Sequence, residues 1–400
     1  MRTSDQRNVL IIQAMMKQYR VPFFEKLYHS LRREGISLKV AYGSPPAGEL
    51  KKGDNVALNP RFGVRVDNIW MLKDKLLYQP LAGEIMDADL VVVEQANKHL
   101  INYLLLALSA LGFRKMAFWG HGRNLRAKRP GLSEWAKRKM CKMPDWWFAY
   151  TRGTAAYLAR QGVAEEKITV VMNSMDTAGF RNDLASVSEG VIRAEKGELG
   201  IAAGARVGLF CGSLYGDKRL DFLFNSARMI KERVPEFELL IVGGGPDSGL
   251  AERVARNLRW VHYAGPLFGV RKAVYFRMAE FFLHPGALGL AILDAFAAGL
   301  PVLTTENPMH GPEIEYLEDG VNGIIAPFEL RTFSDRVVNL LKDGESCARM
   351  RRSAAEGACR YGIDDMVKNF KAGIVECLAS GPAPWRARRR GSIGPYEETS

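Results

Sequence analysis

The sequence lacks several of the signatures from which an activity is most easily read. Its five cysteines form no CxxC pair, so neither a disulfide framework nor a zinc site is expected, and the thiols fit a reducing cytoplasm. No Walker lysine motif, no G-x-G-x-x-G after the first strand and no G-x-S-x-G elbow occurs, which disfavours ATPase, dehydrogenase and hydrolase activities. No acidic cluster resembles a metal site, so no metal or other cofactor is expected.

Long apolar runs are also missing. The longest stretch, LINYLLLALSALGF at residues 100–113, is shorter than the roughly 20 residues that a membrane-spanning helix needs. A buried helix is the favoured interpretation, and a shallow helix on a membrane surface is the alternative. The opening MRTSDQRNVLIIQAMM has no signal-peptide pattern. We therefore expect a cytoplasmic protein, with peripheral attachment to the inner face of the membrane left open.

The positive charge is concentrated in one half of the chain. Residues 1–180 hold 28 of the 56 Lys and Arg residues but 16 of the 44 Asp and Glu residues, so they carry the whole formal net charge of +12. Such a basic half indicates either a solvated surface or attraction to an anionic membrane surface. Nucleic acid is not an expected partner, because no nucleic-acid-binding motif is present. Trp146 and Trp147, which lie in this half, are predicted to be core residues rather than membrane anchors.

Strand-like and helical segments alternate along the chain, which is the pattern of parallel α/β sheets. The segments fall into two series, so we predict an α/β fold of two Rossmann-like, doubly wound domains facing a cleft. The expected boundaries are 1–176 for the N-terminal domain, 177–206 for a linker and 207–380 for the C-terminal domain with its closing helix. A disordered basic tail is expected at 381–400.

The segment HPGALGLAILDAFAAGLPVLTT is the most informative in the sequence. A strand ends at His284, itself expected to be buried, and a glycine-bearing loop leads into a helix that starts near Leu290. Ligands of open α/β sheets bind at the carboxyl ends of strands, where helix N-termini favour anions. Gly286 and Gly289 would let a phosphate approach the backbone. Asp294, one turn further on, would suit the hydroxyls of a ribose.

Two further glycine-bearing strand ends occur in the second series. In LFCGSLYGDKRLDFL, Lys218 and Arg219 stand at a predicted helix start, where the helix dipole disfavours a base unless an anion or a partner acid is nearby. In LLIVGGGPD, Gly244 lies within a glycine run that follows a strand. We expect all three loops to lie at the carboxyl ends of neighbouring strands, where together they could hold a diphosphate.

These residues resemble those of glycosyltransferase family 4, which has the GT-B fold. The family's G-R-x-x-x-x-K element reads GSLYGDK here, so Lys218 matches the lysine and Ser213 replaces the arginine. Its E-x7-E element places Gly286 at the first acid and Asp294 at the second. Its later Glu and D-G-x-x-G pattern appears as EYLEDGVNG, with Glu315 at the Glu position. The closing N-x-x-D of the first domain is matched by Asn173 and Asp176.

The resemblance implies a retaining transfer from a nucleoside diphosphate sugar to a glycan or lipid-linked acceptor. A bacterial subgroup that builds surface polysaccharides, such as lipopolysaccharide or exopolysaccharide, has similar YR-V-P, F-W-G-H-G-R-N and HPG segments. The implied catalytic residues are His121, Lys218 and Asp294, and Arg20 and Arg123 would meet the acceptor. The implied donor-binding residues are Ser213, Arg219, Gly244, Gly286, Gly289, Leu290 and Glu315.

Two alternatives stay open at the level of sequence. A nucleotide-sugar epimerase of the same fold would need a general acid and base at the sugar, and no clear pair is present. A non-catalytic partner subunit that binds nucleotide is the other, because Gly286 and Ser213 depart from the family pattern. Lys218 and Asp294 favour the enzyme. His310 and Glu313 lie in a loop that either touches the donor or forms a structural turn.

Overall fold

The computed structural model describes residues 6–46, 54–122 and 139–380. The chain divides into two compact units, one of Met1–Met172 with Asp364–Ser400 and one of Asn173–Ile363. Each unit holds its own parallel sheet, which confirms the predicted α/β class with two doubly wound sheets. The tail at 381–400 and Arg123 lie outside the described residues.

The first unit is built on a seven-stranded parallel sheet in the order β3-β2-β1-β6-β7-β8-β9. The strand LVVVE is buried over four of its five residues, as expected for a strand covered on both faces. The order in which strands are added to the sheet reverses between β1 and β6, and this reversal opens a crevice at the carboxyl ends of the two strands. The strands, including a β4-β5 hairpin outside this sheet, are β1 Arg7–Met15, β2 Ile36–Gly43, β3 Gly63–Val66, β4 Ile69–Met71, β5 Leu76–Tyr78, β6 Leu90–Glu94, β7 Lys115–Gly120, β8 Trp146–Ala149 and β9 Ile168–Val170.

Local chemistry explains the ends of two helices of the first unit. The first carries Pro22 in its opening turn and is followed by Gly35 at a φ of 71°, a backbone conformation that glycine adopts without strain. Thr151 caps another helix by accepting a hydrogen bond from the Thr154 N–H at 3.3 Å. The helices are α1 Val21–Arg33, α2 Ala82–Asp87, α3 Leu100–Ala110 and α4 Arg152–Arg160.

Helix α3 is only half buried, which corrects the expectation of a buried helix. Its inner face packs Ile101, Leu105 and Leu106 into the core. Its outer face leaves Tyr103 44% and Leu104 50% exposed. In the described parts of the chain, no helix is both long and apolar enough to cross a membrane. Trp146 and Trp147 are buried, as predicted.

The last helix, Ile363–Ala379, packs in the first unit rather than closing the second. The ring of Phe370 stacks on Phe148 at 4.1 Å and meets the rings of Phe23 and Trp119 at 5.3 and 5.0 Å. This contact corrects the predicted domain of 207–380, because a fully buried Phe370 needs the apolar surface that the first unit offers.

The second unit contains a six-stranded parallel sheet in the order β12-β11-β10-β13-β14-β15. Its strands are β10 Arg206–Cys211, β11 Phe237–Val242, β12 Val261–Tyr263, β13 Phe281–Leu283, β14 Val302–Thr305 and β15 Gly323–Ala326. Its helices are α5 Thr177–Ser186, α6 Glu189–Glu198, α7 Leu220–Arg233, α8 Ser248–Asn257, α9 Gly269–Met278, α10 Ala291–Ala297, α11 Leu330–Lys342 and α12 Gly344–Arg360. We label the last helix of the chain α13.

The stretch predicted as a linker, 177–206, is instead folded into the second unit as α5 and α6. Asp176 and Ser188 cap these helices by accepting hydrogen bonds from the N–H groups of Gly179 and Val191. Phe180 of α5 lies edge-on against Phe276 of α9 at 5.1 Å. The composition of this stretch, rich in Ala, Gly and Ser, led to the prediction of a linker, although the residues form two short capped helices.

Candidate functional site

The three predicted glycine loops follow β10, β11 and β13, which are neighbours in the sheet. The strand order therefore confirms that these loops share one edge of the second unit. Their glycines let the loop backbones interlock. A Cβ added at Gly243 would stand closer than 3.0 Å to the Gly212 carbonyl. One added at Gly245 would stand closer than 3.0 Å to the carbonyl of Leu214. A side chain at either position would push the loops apart.

Gly286 is required for a different reason from the one expected. An added Cβ would lie closer than 3.0 Å to the main-chain carbonyls of Asp217 and Lys218. The glycine thus admits a neighbouring loop rather than, as predicted, a phosphate. No side chain fits at Gly286 on this backbone. The position that corresponds to the first acid of the E-x7-E element therefore has no room for an acid.

Lys218 reaches across to the loop that follows β13. It ends a short 3₁₀ turn, Gly216–Lys218, and its ammonium donates to the carbonyl of Ala287. The N–H of Ala287 in turn donates to the carbonyl of Asp217 at 2.8 Å. The predicted approach of Lys218 to the loop before α10 is therefore present in the fold.

Arg219 is paired with an acid of its own helix. Its guanidinium lies 3.2 Å from the carboxylate of Asp221 and 4.5 Å over the ring of Phe328. The hydrogen bond from Arg219 lowers the pKa of Asp221. A base at this helix start is thus compensated by a partner acid and does not by itself indicate a bound anion.

In the described loop between β13 and α10, some peptide N–H groups are bonded within the fold and others are not. The Leu288 N–H donates to Nδ1 of His310 at 3.0 Å, and Nε2 of His310 donates to the Thr305 carbonyl at 2.7 Å. Burial lowers the pKa of His310, so its ring is a neutral structural brace. The N–H groups of Gly289 and Leu290 donate to no acceptor in the described parts of the chain, and they remain available to a ligand.

Asp294 lies in α10, which begins at Ala291, and is 8% exposed. Its Oδ1 accepts a hydrogen bond of 3.0 Å from Nζ of Lys272 on α9. Burial is the largest single influence and lowers the pKa of Lys272, but the charge and hydrogen bond of Asp294, together with Cys211 and Asp183, outweigh it and raise the pKa. Lys272 was missed in the sequence, where a lysine on an otherwise ordinary amphipathic helix carries no signal.

Glu313, rather than Glu315, lies against the loop. Glu315 is exposed on the 3₁₀ turn Pro312–Tyr316, whereas Glu313 is buried and its Oε2 faces Gly289 and Gly311. Oε1 of Glu313 accepts from the amide of Asn173. The donor-binding role of Glu315 stays a prediction. Ser213 and Gly244 lie in the loops after β10 and β11, and the Gly244 carbonyl accepts from the Leu214 N–H at 2.9 Å.

A second cluster follows β1, β6, β7 and β8 in the first unit. Arg20 is 6% exposed and lies 4.5 Å over the ring of Trp119. Burial lowers the pKa of Arg20, but Tyr19, Tyr150 and Glu94 together outweigh it. His121 stands half-buried after β7, with its ring 6.1 Å from that of Tyr150. Arg20 is enclosed by aromatic rings rather than displayed for an acceptor.

Residues 205–343 match the family described as glycosyl transferases group 1. D-inositol 3-phosphate glycosyltransferase 2 of Catenulispora acidiphila is 30% identical over 45% of each chain. Alpha-monoglucosyldiacylglycerol synthase of Acholeplasma laidlawii is 25% identical over 40% of each chain. The chain thus matches less than half the length of these two curated relatives.

Solved structures share the fold over most of the chain. The Anabaena protein HepE, solved in complex with UDP, aligns with a TM-score of 0.67 and 15% identity over 92% of this chain and 99% of its own. A putative UDP-N-acetylglucosamine 2-epimerase from Listeria monocytogenes aligns with a TM-score of 0.63 and 16% identity over 95% and 98%. The chain therefore has a GT-B-like fold, and its residues 205–343 are similar to the glycosyl transferases group 1 family.

Proposed function

We propose that the protein is a retaining glycosyltransferase that takes a sugar from a nucleoside diphosphate sugar and transfers it to a glycan or lipid-linked acceptor in the synthesis of a cell-surface polysaccharide. One observation carries the proposal. Within the matched domain, the Lys218 ammonium and the unoccupied N–H groups of Gly289 and Leu290 belong to adjoining loops at one edge of the sheet. A cation and peptide donors so placed suit a diphosphate.

The proposed chemistry depends on charge rather than on a metal. As the bond between the sugar and the diphosphate breaks, negative charge develops on the leaving phosphate. Lys218 and the two N–H groups stabilise that charge because they are held in place before the reaction. Asp294 binds the ribose through Oδ2, while Lys272 fixes Oδ1. His121 of the first unit is the other residue proposed to take part in catalysis.

Replacing Lys218 tests the proposal. We expect Lys218→Ala to lower kcat/KM for donor turnover by about 10²–10³, the usual effect of removing one donor to a developing anion. Turnover includes transfer and slow donor hydrolysis, measured with UDP-, GDP- and ADP-sugars. Lys342→Ala, at the exposed end of α11, is the matched control. A parent protein that neither binds nor turns over any of these donors would rule the function out.

The acceptor is the less constrained half of the proposal. The two curated relatives are named for an inositol phosphate and a glucosyl diacylglycerol, so both a phosphorylated polyol and a lipid join the polysaccharide precursors as acceptor classes to assay. Epimerisation must be measured beside transfer, because an epimerase of this fold would interconvert donor sugars without any acceptor.

The exposed face of α3 supports a peripheral position on the cytoplasmic face of a membrane. Tyr103, Leu104, Leu111 and Phe113 are each more than 40% exposed, and α3 carries no charged residue. We expect Leu104→Glu to reduce sedimentation with vesicles containing anionic lipid, relative to Val191→Glu in the second unit, which is 46% exposed. Equal sedimentation of both variants with the parent would remove this part of the proposal.

A further inference from the structure

His284 is the most completely buried histidine of the second unit, and its ring nitrogens are unpartnered. It follows β13 directly, has no exposed surface, and neither Nδ1 nor Nε2 forms a hydrogen bond in the described structure. The peptide groups of His284 and Gly286 lie near the ring and raise its pKa against the larger lowering by burial, although neither ring nitrogen has a hydrogen-bond partner of normal geometry in the described structure. A buried polar group without a partner is costly, by about 1–3 kcal/mol, so its retention calls for a reason.

Packing alone does not supply that reason. The ring stacks between Phe210 at 4.7 Å and Phe282 at 5.8 Å, with interplanar angles of 18° and 17°. A phenylalanine would satisfy the same stack without burying two polar nitrogens. His262, on β12, shows the usual arrangement for a buried histidine, since its Nε2 lies 2.8 Å from the carboxylate of Glu238.

The ring lies close to the loop that follows β10. Nε2 is 3.7 Å from the point where a Cβ of Gly212 would stand, and Gly212 is half-buried. The charge of Lys218 is close enough to contribute to the lowering of the pKa of His284, although burial is the larger cause. The imidazole is therefore neutral and carries one N–H donor and one acceptor nitrogen.

We propose that His284 is a further donor-site residue, whose ring N–H hydrogen-bonds an oxygen of the bound nucleoside diphosphate when Lys218 exchanges the Ala287 carbonyl for phosphate. The inference rests on the function proposed above. The backbone of the turn Gly216–Lys218 lies against the loop at Gly286, and the Lys218 ammonium bonds the next residue of that loop. A neutral imidazole then adds a directional bond without adding charge.

Two substitutions separate binding from packing. His284→Phe keeps the stack on Phe210 and Phe282 and removes both nitrogens, so its thermal midpoint should equal or exceed that of the parent. Its dissociation constant for UDP, GDP or ADP should rise about 10- to 100-fold, the loss expected for one hydrogen bond to a charged group. His284→Gln, which restores an N–H near the position of Nε2, should recover part of the affinity.

Nuclear magnetic resonance of the parent protein gives an independent readout. The chain has six histidines, so its ¹⁵N-labelled rings can be assigned by single substitutions. Saturation with the nucleoside diphosphate that binds should shift the ring nitrogens of His284 and leave those of His262 unchanged.

The outcomes distinguish this inference from the function on which it rests. If the parent binds a nucleoside diphosphate but His284→Phe binds it equally well and the His284 resonances do not move, only the role of His284 is overturned. If the parent binds none of the three nucleotides, the proposed function and the inference both fall.

Discussion

Gly286 illustrates how the absence of a side chain allows two loops to pack closely. Its backbone lies so close to the carbonyls of Asp217 and Lys218 that a methyl group would have to displace the turn. Gly216, in the same turn, has no atom within 4 Å of its would-be Cβ and has no positive φ. The two positions belong to adjoining segments, yet only Gly216 has room for a side chain.

We therefore expect Gly286→Ala to destabilise the second unit by about 1–3 kcal/mol through overpacking. For a unit of this size, that lowers the thermal midpoint by about 2–12 °C, as measured by differential scanning calorimetry. Gly216→Ala should leave the midpoint within about 1–2 °C of the parent, in keeping with about 0.5 kcal/mol for a tolerated surface change. Equal midpoints for both variants would contradict the close approach seen at Gly286.

At this scale the sequence predicted which loops lie together better than it explained why they do. Lys218 and Gly289 could be predicted because a cation and a glycine after parallel strands have a chemical meaning in any α/β sheet. The reason for Gly286 could not, because the neighbour that excludes a side chain lies some 70 positions away in the chain. Lys272 and the buried state of Glu313 depend likewise on how helices and turns pack.

Helix α3 shows that an element can be predicted correctly in type and misjudged in its surroundings: it starts at Leu100 as expected and ends at Ala110, before the apolar stretch does. An apolar run without charges predicts a helix, but it does not say how much of that helix the rest of the fold will cover. His99, the residue before α3, is 4% exposed and its Nε2 has no partner in the described structure. Burial lowers the pKa of His99 to about 4.

The stability of the first unit should consequently depend on pH through His99. Above pH 6.5 the ring is neutral in both the folded and the unfolded state. As the pH falls from 6.5 to about 4, the unfolded chain takes up the proton first, so folding loses about 3 kcal/mol.

Replacing His99 tests this pH dependence. Thermal midpoints measured between pH 7.5 and 4 should fall less steeply in His99→Leu than in the parent. His29→Leu, at an exposed position of α1, should follow the parent, and parallel curves for all three proteins would refute the assignment to His99.

On the scale of the whole molecule, the packing of the last helix decides which residues belong to each unit. Two series of strands and helices predict two units, and the structure agrees. The strand pattern cannot say which unit takes a terminal amphipathic helix, because both sheets offer apolar faces. The ring of Phe370, fully buried beside Phe148, decides in favour of the first unit.

Phe370→Ala should accordingly destabilise the first unit alone, by about 3–5 kcal/mol for an emptied aromatic site. Hydrogen exchange followed by mass spectrometry should show lost protection in peptides from β1, β7 and β8. Peptides from β10 to β15 should keep theirs. Val375→Ala, on the same helix but 39% exposed, is the control. Lost protection in the second unit instead would mean that the division of the chain is wrong.

The hydroxyl of Ser174 donates to the carbonyl of Tyr361. This hydrogen bond joins residues near the two ends of the segment that forms the second unit. A segment whose two ends meet behaves as a cassette: it can be excised, closed by a short linker or exchanged for another without rethreading its host. In this chain the cassette carries the lysine, the glycine loops and the proposed histidine. Recombination at residues 173 and 363 would therefore transfer the proposed nucleotide site as one block and leave the rest of the chain unchanged.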